Sequence, residues 1–286
     1  MTSIVKLVQG SPEWHAHRAQ YRNASETAAV LGQSPWVTPY QLWQLRTGRT
    51  QQQTTAPMAH GTAMEPVARA AYEQLTGHVM QPLVLVDGDY SASLDGMTLD
   101  RQLILEVKCP YKGKGSELWQ AAEAGEVPDH YRWQVQHQLM VSGAEQAHLY
   151  VHDGTEGILL DVPTEPDTWN QIYEAWDRFM QHMKNDTPPP LTDKDTVIRS
   201  DPAWRQAAEA YAKLKRDIDL MDAQLDEAKS KLVKLATHPS ESGCGVSVTR
   251  FWRTGNVDYK RVHALQGVDL EQYRGKARED VRVTVK

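Results

Sequence analysis

Asp95 is followed eleven residues later by Glu106-Val107-Lys108. Two carboxylates and an ammonium at this spacing suit hydrolysis of a phosphodiester. The flanking residues, Ser91-Ala92-Ser93-Leu94-Asp95-Gly96-Met97 and Leu103-Ile104-Leu105-Glu106-Val107-Lys108-Cys109-Pro110, predict a strand ending in a glycine turn and a second, apolar strand. On adjacent strands of one sheet the three charges can converge at one edge. Close carboxylates repel unless a divalent cation lies between them, and magnesium takes oxygen ligands while keeping some of its water. A water activated by the metal, beside a lysine, supplies a nucleophile and positive charge for the transition state.

Acid-x-Lys alone is a weak pattern. It recurs as Glu227-Ala228-Lys229 and as Asp258-Tyr259-Lys260. Glu227 and Lys229 fall on a predicted heptad helix, pointing to different sides. Asp258 follows a Gly-Asn turn and has no upstream carboxylate strand. Only Glu106 and Lys108 alternate with Leu103, Leu105 and Val107, so two polar groups share one strand face at period two. Polar groups in an otherwise apolar strand require a reason.

These residues need a body to hold them. The 286 residues, 40% hydrophobic, suffice for one large domain or a domain with an appendage. No apolar run approaches the roughly 20 residues that span a membrane. The segment Met1-Thr2-Ser3-Ile4-Val5-Lys6 lacks a signal-peptide core, so the cytoplasm is expected. Cys109 and Cys244 are distant and dissimilar in context, which argues against a disulfide framework and a zinc site. The net charge is −6. From Arg250 to Lys286 nine Lys or Arg face five Asp or Glu, a net of +4 that leaves the rest at −10. An acidic body with a basic tail does not coat DNA, but it is compatible with a lined channel.

Helices are expected from Ser11-Pro12 to before Asn23, through Ala28–Leu31, from Thr38-Pro39, over 60–75 ending at Gly77, and at 116–124, 128–142 and 165–184. Residues 49–56 read as a polar loop. Strands are expected at 82–87, 91–95, 103–108, 147–152 and 157–162. Pro188-Pro189-Pro190 closes a core over 1–187 and opens a stiff linker over 188–200. The extension, 201–286, begins with a long helix over 201–237. Trp204, Tyr211, Ile218, Leu225 and Leu232 hold one heptad position, and Ala207, Leu214, Met221, Ala228 and Leu235 hold the position three later. A β segment around 245–252, a Gly255-Asn256 turn and the basic tail follow.

Six stretches, in order, match one known family. They are Gly10-Ser11-Pro12-Glu13-Trp14 with Arg18; Ala24-Ser25-Glu26-Thr27-Ala28 with Leu31-Gly32; His60-Gly61-Thr62-Ala63-Met64-Glu65-Pro66; Ser93-Leu94-Asp95-Gly96; Leu105-Glu106-Val107-Lys108-Cys109-Pro110; and Tyr131-Arg132-Trp133-Gln134-Val135-Gln136. The chain resembles the viral recombinase nucleases of the YqaJ type, relatives of phage lambda exonuclease in the PD-(D/E)XK superfamily. The resemblance implies an α/β core of the restriction-endonuclease kind, a mixed central sheet flanked by helices, with the helical and β extension appended. It also implies a magnesium-dependent 5′-to-3′ exonuclease on double-stranded DNA ends, with manganese a possible substitute. A homotrimeric ring and a single-strand annealing protein as partner belong to the same expectation. An endonuclease or single-strand nuclease on the same core, and a non-catalytic DNA-binding scaffold, are the alternatives.

Carried onto these residues, the resemblance makes Asp95, Glu106 and the Val107 carbonyl metal ligands and makes Lys108 the group that orients the attacking water. Glu65 and Gln134 complete the catalytic set, although an acid early in a helix also compensates the helix dipole. Arg18 and Ser25 match positions that take the 5′-phosphate, by an Arg fork and a hydroxyl at a helix start. Tyr131, Gln136, Lys112 and Lys114 are further DNA-contact candidates, with Gln136 equally able to serve structure. One of Trp14, Trp36 and Trp43 is a candidate wedge at the duplex end.

Overall fold

The computed structural model describes residues 2–51, 53–252 and Val268. The chain divides into two units, Met1–Thr196 and Val197–Lys286. The expected Gly255-Asn256 turn and most of the basic tail lie outside the described residues.

The first unit opens with β1 (Ser3–Val5), then α1 (Pro12–Gln20), capped by the Ser11 hydroxyl accepting from the Trp14 N–H. A two-residue strand, β2 (Arg22–Asn23), leads through a 3-10 turn (Ala24–Glu26) to a buried turn of helix, α2 (Thr27–Val30). Helix α3 (Pro39–Arg46) carries a full capping box between Thr38 and Gln41.

Helix α4 (Ala56–Thr76) begins four residues before the expected 60–75 span. Thr55 accepts from the Met58 N–H and Pro57 occupies the first turn, so the end of the polar 49–56 stretch is a helix start and not a loop. Glu65 therefore lies more than two turns inside α4. The helix-dipole reading, which needs a residue in the first turn, does not apply to it.

Strands β3 (Leu83–Asp87) and β4 (Tyr90–Leu94) form an antiparallel hairpin. After Asp95 come β5 (Gly96–Met97) and β6 (Leu103–Lys108). Helices α5 (Glu117–Glu123) and α6 (Asp129–Ser142), strands β7 (Gln146–His152) and β8 (Gly157–Val162), and α7 (Pro166–Lys184) complete the unit.

The expectation of Asp95 and Glu106 on adjacent strands of one sheet requires correction. The strands make two four-stranded sheets, ordered β1-β3-β4-β2 and β5-β6-β7-β8. The chain leaves the first sheet after Leu94 and joins the second at Gly96, so Asp95 occupies the crossing. Gly96 is required there: a Cβ on it would lie 2.7 Å from the Met80 Cβ. The second sheet is mixed, with β6 and β7 parallel and its outer pairings antiparallel.

Helix α6 is buried on nearly every side, with Trp133, Val135, Leu139 and Val141 in the core and even Gln136, His137 and Gln138 enclosed. Helix α7 covers it with Ile172, Ala175, Trp176 and Phe179, spaced three and four apart on one face.

In the second unit, α8 (Pro202–Leu235) starts at Asp201, whose carboxylate accepts from the Trp204 N–H at 3.0 Å. None of its residues is buried. Strands β9 (Ser240–Gly243) and β10 (Val246–Thr249) form a hairpin across Cys244-Gly245, both with positive φ as a tight two-residue hairpin turn demands. Arg250 donates to the Val233 and Ala236 carbonyls at the end of α8.

Candidate active site

Glu106 sits in the middle of β6, buried to 3% exposure among Ile104, Leu105 and Val107. An enclosed carboxylate is costly unless its oxygens are bonded. Here Gln134 Nε2 donates to Oε1 and Gln138 Nε2 donates to Oε2, each at 2.6 Å. The two glutamines are one turn apart on α6, the spacing that puts side chains on one face. Lys108 Nζ adds a charge-assisted bond to Oε1. Gln138 Nε2 also reaches the Ser93 carbonyl at 3.3 Å, which ties α6 to β4.

Asp95 faces this carboxylate from the crossing between the sheets. The pairing of Gly96 with Leu105 sets Asp95 opposite Glu106. Its Oδ2 accepts the Val107 N–H at 2.7 Å. The N–H and C=O of an extended residue point the same way, so the Val107 carbonyl is directed at the same margin. Arg69, on α4, donates to the Asp95 backbone carbonyl at 2.8 Å and to Glu65 Oε1 at 3.1 Å. Glu65 is thereby held beside the pair.

The charges confirm how crowded this corner is. Burial, then Glu106 and Glu65, push the Asp95 carboxyl well above the usual range, against Lys108 and the Val107 N–H. Burial disfavours the Lys108 ammonium, but Glu106, Tyr131 and Asp95 outweigh it and hold its pKa above the ordinary lysine value. Lys108 Nζ lies 5.1 Å from the Tyr131 ring centre. Cys109 is pushed up to about 11 by burial, Asp95 and Glu65, which keeps it a thiol and not a ligand thiolate.

A divalent cation fits these residues. The donors are oxygens, the choice of a hard ion. Three carboxyl groups, Asp95, Glu106 and Glu65, face Lys108 and the Arg69 guanidinium, so acids outnumber bases at this margin. Among the described residues no group of three or more His, Cys, Asp or Glu is assembled as a metal shell. A cation would thus rest on Asp95, Glu106 and the Val107 carbonyl, with water filling its remaining positions.

A second cluster lies at the end of α1. Arg18 donates to the Ser25 hydroxyl at 2.9 Å, lies 3.7 Å from Glu26, and stacks on Trp14 at 4.6 Å. Burial, with Arg46 nearby and Glu26 opposing, lowers its pKa below the usual arginine value. Arg46 is the support: it bonds Glu26 at 3.1 Å and the carbonyls of Arg18, Ala19 and Tyr21. Arg18 and Ser25 are thus brought together, with Ser25 exposed.

The remaining candidates separate. Tyr131 lines the Lys108 side of the site. Gln136 does not face a surface: at 1% exposure it donates to the Pro163 carbonyl and accepts the Glu165 N–H and the Trp169 indole N–H, which corrects its place among DNA contacts. Two positions along a helix point it away from Gln134 and toward α7. Lys112 is exposed, and Lys114 pairs with Glu156 and lies over Trp119. Of the tryptophans, Trp43 is buried and Trp14 bonds Ser93. Trp36 is 65% exposed and packs edge-on against His130, 5.9 Å from the Tyr131 ring.

Sequence reading missed Gln138, Arg69 and Arg46. The first two carried a signal, since Gln138 is four residues after Gln134 and Arg69 four after Glu65. Arg46 carried none, because its acceptors are mostly backbone carbonyls.

Residues 13–145 match the family model of the YqaJ-like viral recombinase domain. The chain is 23% identical over 248 residues to the uncharacterized protein YqaJ of Bacillus subtilis (strain 168), spanning 77% of this chain and 76% of that one. The crystal structure of an alkaline exonuclease from Laribacter hongkongensis matches with a TM-score of 0.53 at 23% identity, over 62% of this chain and 94% of that one. The same enzyme in complex with dAMP matches equally. This likeness is one of fold, and more than a third of the present chain has no counterpart in it. Among the described residues no helix is long and apolar enough to cross a membrane.

Proposed function

We propose that this chain, which carries a YqaJ-like viral recombinase domain, is a DNA exonuclease that digests linear duplexes from the 5′ end and leaves 3′ overhangs for phage-type recombination. The observation that carries the reading is Asp95 set against the buried Glu106 beside Lys108, with Glu106 clamped from α6. Magnesium, or manganese on the same donors, supplies Lewis-acid charge and an activated water when bound by Asp95, Glu106 and the Val107 carbonyl.

The chain's own groups do the rest. Lys108 keeps its proton and places a positive charge where the pentavalent phosphate gains negative charge. Glu65, steadied by Arg69, and Gln134 orient water at the margin. Tyr131 holds Lys108 in line. Arg18 and Ser25 take the terminal 5′-phosphate: the guanidinium offers paired donors and the serine a hydroxyl at a helical turn. Trp36, exposed beside Tyr131, offers a stacking face to the terminal base pair. A homotrimeric ring around the duplex and a single-strand annealing protein taking up the product complete the proposal on family grounds.

The test uses linear duplexes with and without 5′-phosphate, and closed circles, in magnesium. Faster loss of 5′-phosphorylated linear strands, with circles intact, is the expected result. Cutting of closed circles would instead assign an endonuclease to this core.

A further inference from the structure

The seam of α8 is apolar and open: Leu214, Ile218, Met221 and Leu225 are each more than half exposed. A helix with this pattern is completed by another helix. The sequence of α8 itself selects which one. We propose that α8 pairs with α8 of a second copy of this chain, antiparallel, with Ile218 packed on the partner's Met221.

In that register each layer holds two residues whose numbers sum to 439. Leu214 meets the partner's Leu225, Ala207 meets the partner's Leu232, and Tyr211 meets the partner's Ala228. Each alanine of the seam thus faces a large side chain, and layer volumes are even, as close packing requires. A parallel pair would stack Ala207 on Ala207 and Ala228 on Ala228, while crowding Trp204 on Trp204.

The flanking charges agree. The antiparallel register sets Lys215 against the partner's Asp222, twice by symmetry, and sets Asp217 against the partner's Gln224. It contains no like-charge pair. A parallel pair sets Asp217 against the partner's Asp222. Sliding the antiparallel pair by one heptad sets Lys215 against Lys215 in one direction and Asp222 against Asp222 in the other. Charges at these positions choose partner and orientation. The inference does not depend on the nuclease reading; a two-fold pair cannot close a three-membered ring, so beside the proposed trimer it would join chains of different rings.

The experiment uses the full chain in a Cys244→Ser background, with Ile218→Cys and Met221→Cys made separately. Mixing the two variants under mild oxidation should give an interchain disulfide between positions 218 and 221, identified by peptide mapping, and neither variant alone should give it. Self-cross-linking of a separate Leu225→Cys variant, whose two copies lie eleven residues apart along the axis in this register, would overturn the proposal in favour of a parallel pair. Absence of any interchain product would overturn it in favour of coverage by another protein. Sedimentation supplies the second readout. Lys215→Asp and Asp222→Lys should each weaken association about tenfold, and the double variant should restore it. Because Lys215 also pairs with Asp219 within the helix, circular dichroism accompanies each variant. Independent, additive effects of the two substitutions would refute the register.

Discussion

Glu106 and Leu225 invert each other. The carboxylate is 3% exposed and the leucine 66%. In the first unit, charged and polar groups are drawn inside and bonded: Glu106 by two amides and an ammonium, and Asp95 by a backbone N–H. Along α8, apolar groups stay outside, and none of the helix's residues is buried. Both arrangements are costly to an isolated chain, one by desolvation and one by exposed apolar area. What would complete each differs in kind: a compact positive charge in one case, an apolar surface of matching period in the other.

The contrast can be broken most severely at Asp95. Asp95→Asn keeps an acceptor for the Val107 N–H and removes the repulsion from Glu106 and Glu65. Digestion should fall roughly 10³-fold, yet the metal-free protein should melt at a higher temperature. The sign follows from linkage. The folded-state pKa of Asp95 is raised, so the unfolded chain ionises first, and stability is lost as pH rises from the ordinary carboxylate range through the raised value. The variant should lack that loss in melts across pH, and a lower melting temperature would make Asp95 a structural anchor.

Matched leucines sharpen the comparison next. Leu149→Ala, in the buried β7, should cost about 2–5 kcal/mol in denaturant unfolding of the first unit, whereas Leu225→Ala should leave that transition unchanged. Gln138→Leu then tests the clamp on Glu106. Magnesium affinity measured by calorimetry should fall about 10–100-fold with the fold intact by circular dichroism; an unchanged affinity would confine Gln138 to packing.

His137 probes the same buried interior from the acid side. It is fully enclosed, bonded to the Thr27 hydroxyl at 2.6 Å, and burial pulls its pKa down to about 3. Its neutral form supports the fold fully above the unfolded value near 6.5, and that support is lost as pH falls below it. Between pH 6.5 and 5 the loss should be about 2 kcal/mol, and His137→Gln should flatten this part of the profile. The smallest effect is expected at Arg18→Ala, which should erase an advantage of about tenfold for 5′-phosphorylated ends, the size of one charge-assisted contact. Equal slowing on both kinds of end would remove Arg18 from phosphate recognition.

Periodicity made much of this legible. Glu106 and Lys108 stand out because strand β6 alternates, and the α8 seam because it repeats every seven residues. The α4 start at Ala56 was hidden by polar residues that serve both loops and caps. The two-sheet arrangement was hidden for a different reason: β1, β2 and β5 are two or three residues long, too short to show a period. Gln138 shows the limit from the other side. Its spacing from Gln134 was visible, but only the packing of α6 against β4 and β6 reveals that both amides meet one carboxylate.

The crossing at Asp95 gives this corner the character of a caliper. One jaw is fixed to the second sheet through Glu106, and the other rides on the junction with the first, steadied from α4 by Arg69. Any breathing of one layer against the other opens or closes the gap between the jaws. An ion gripped there would act as a rivet, so its arrival should slow amide hydrogen exchange in β4 and β6 together.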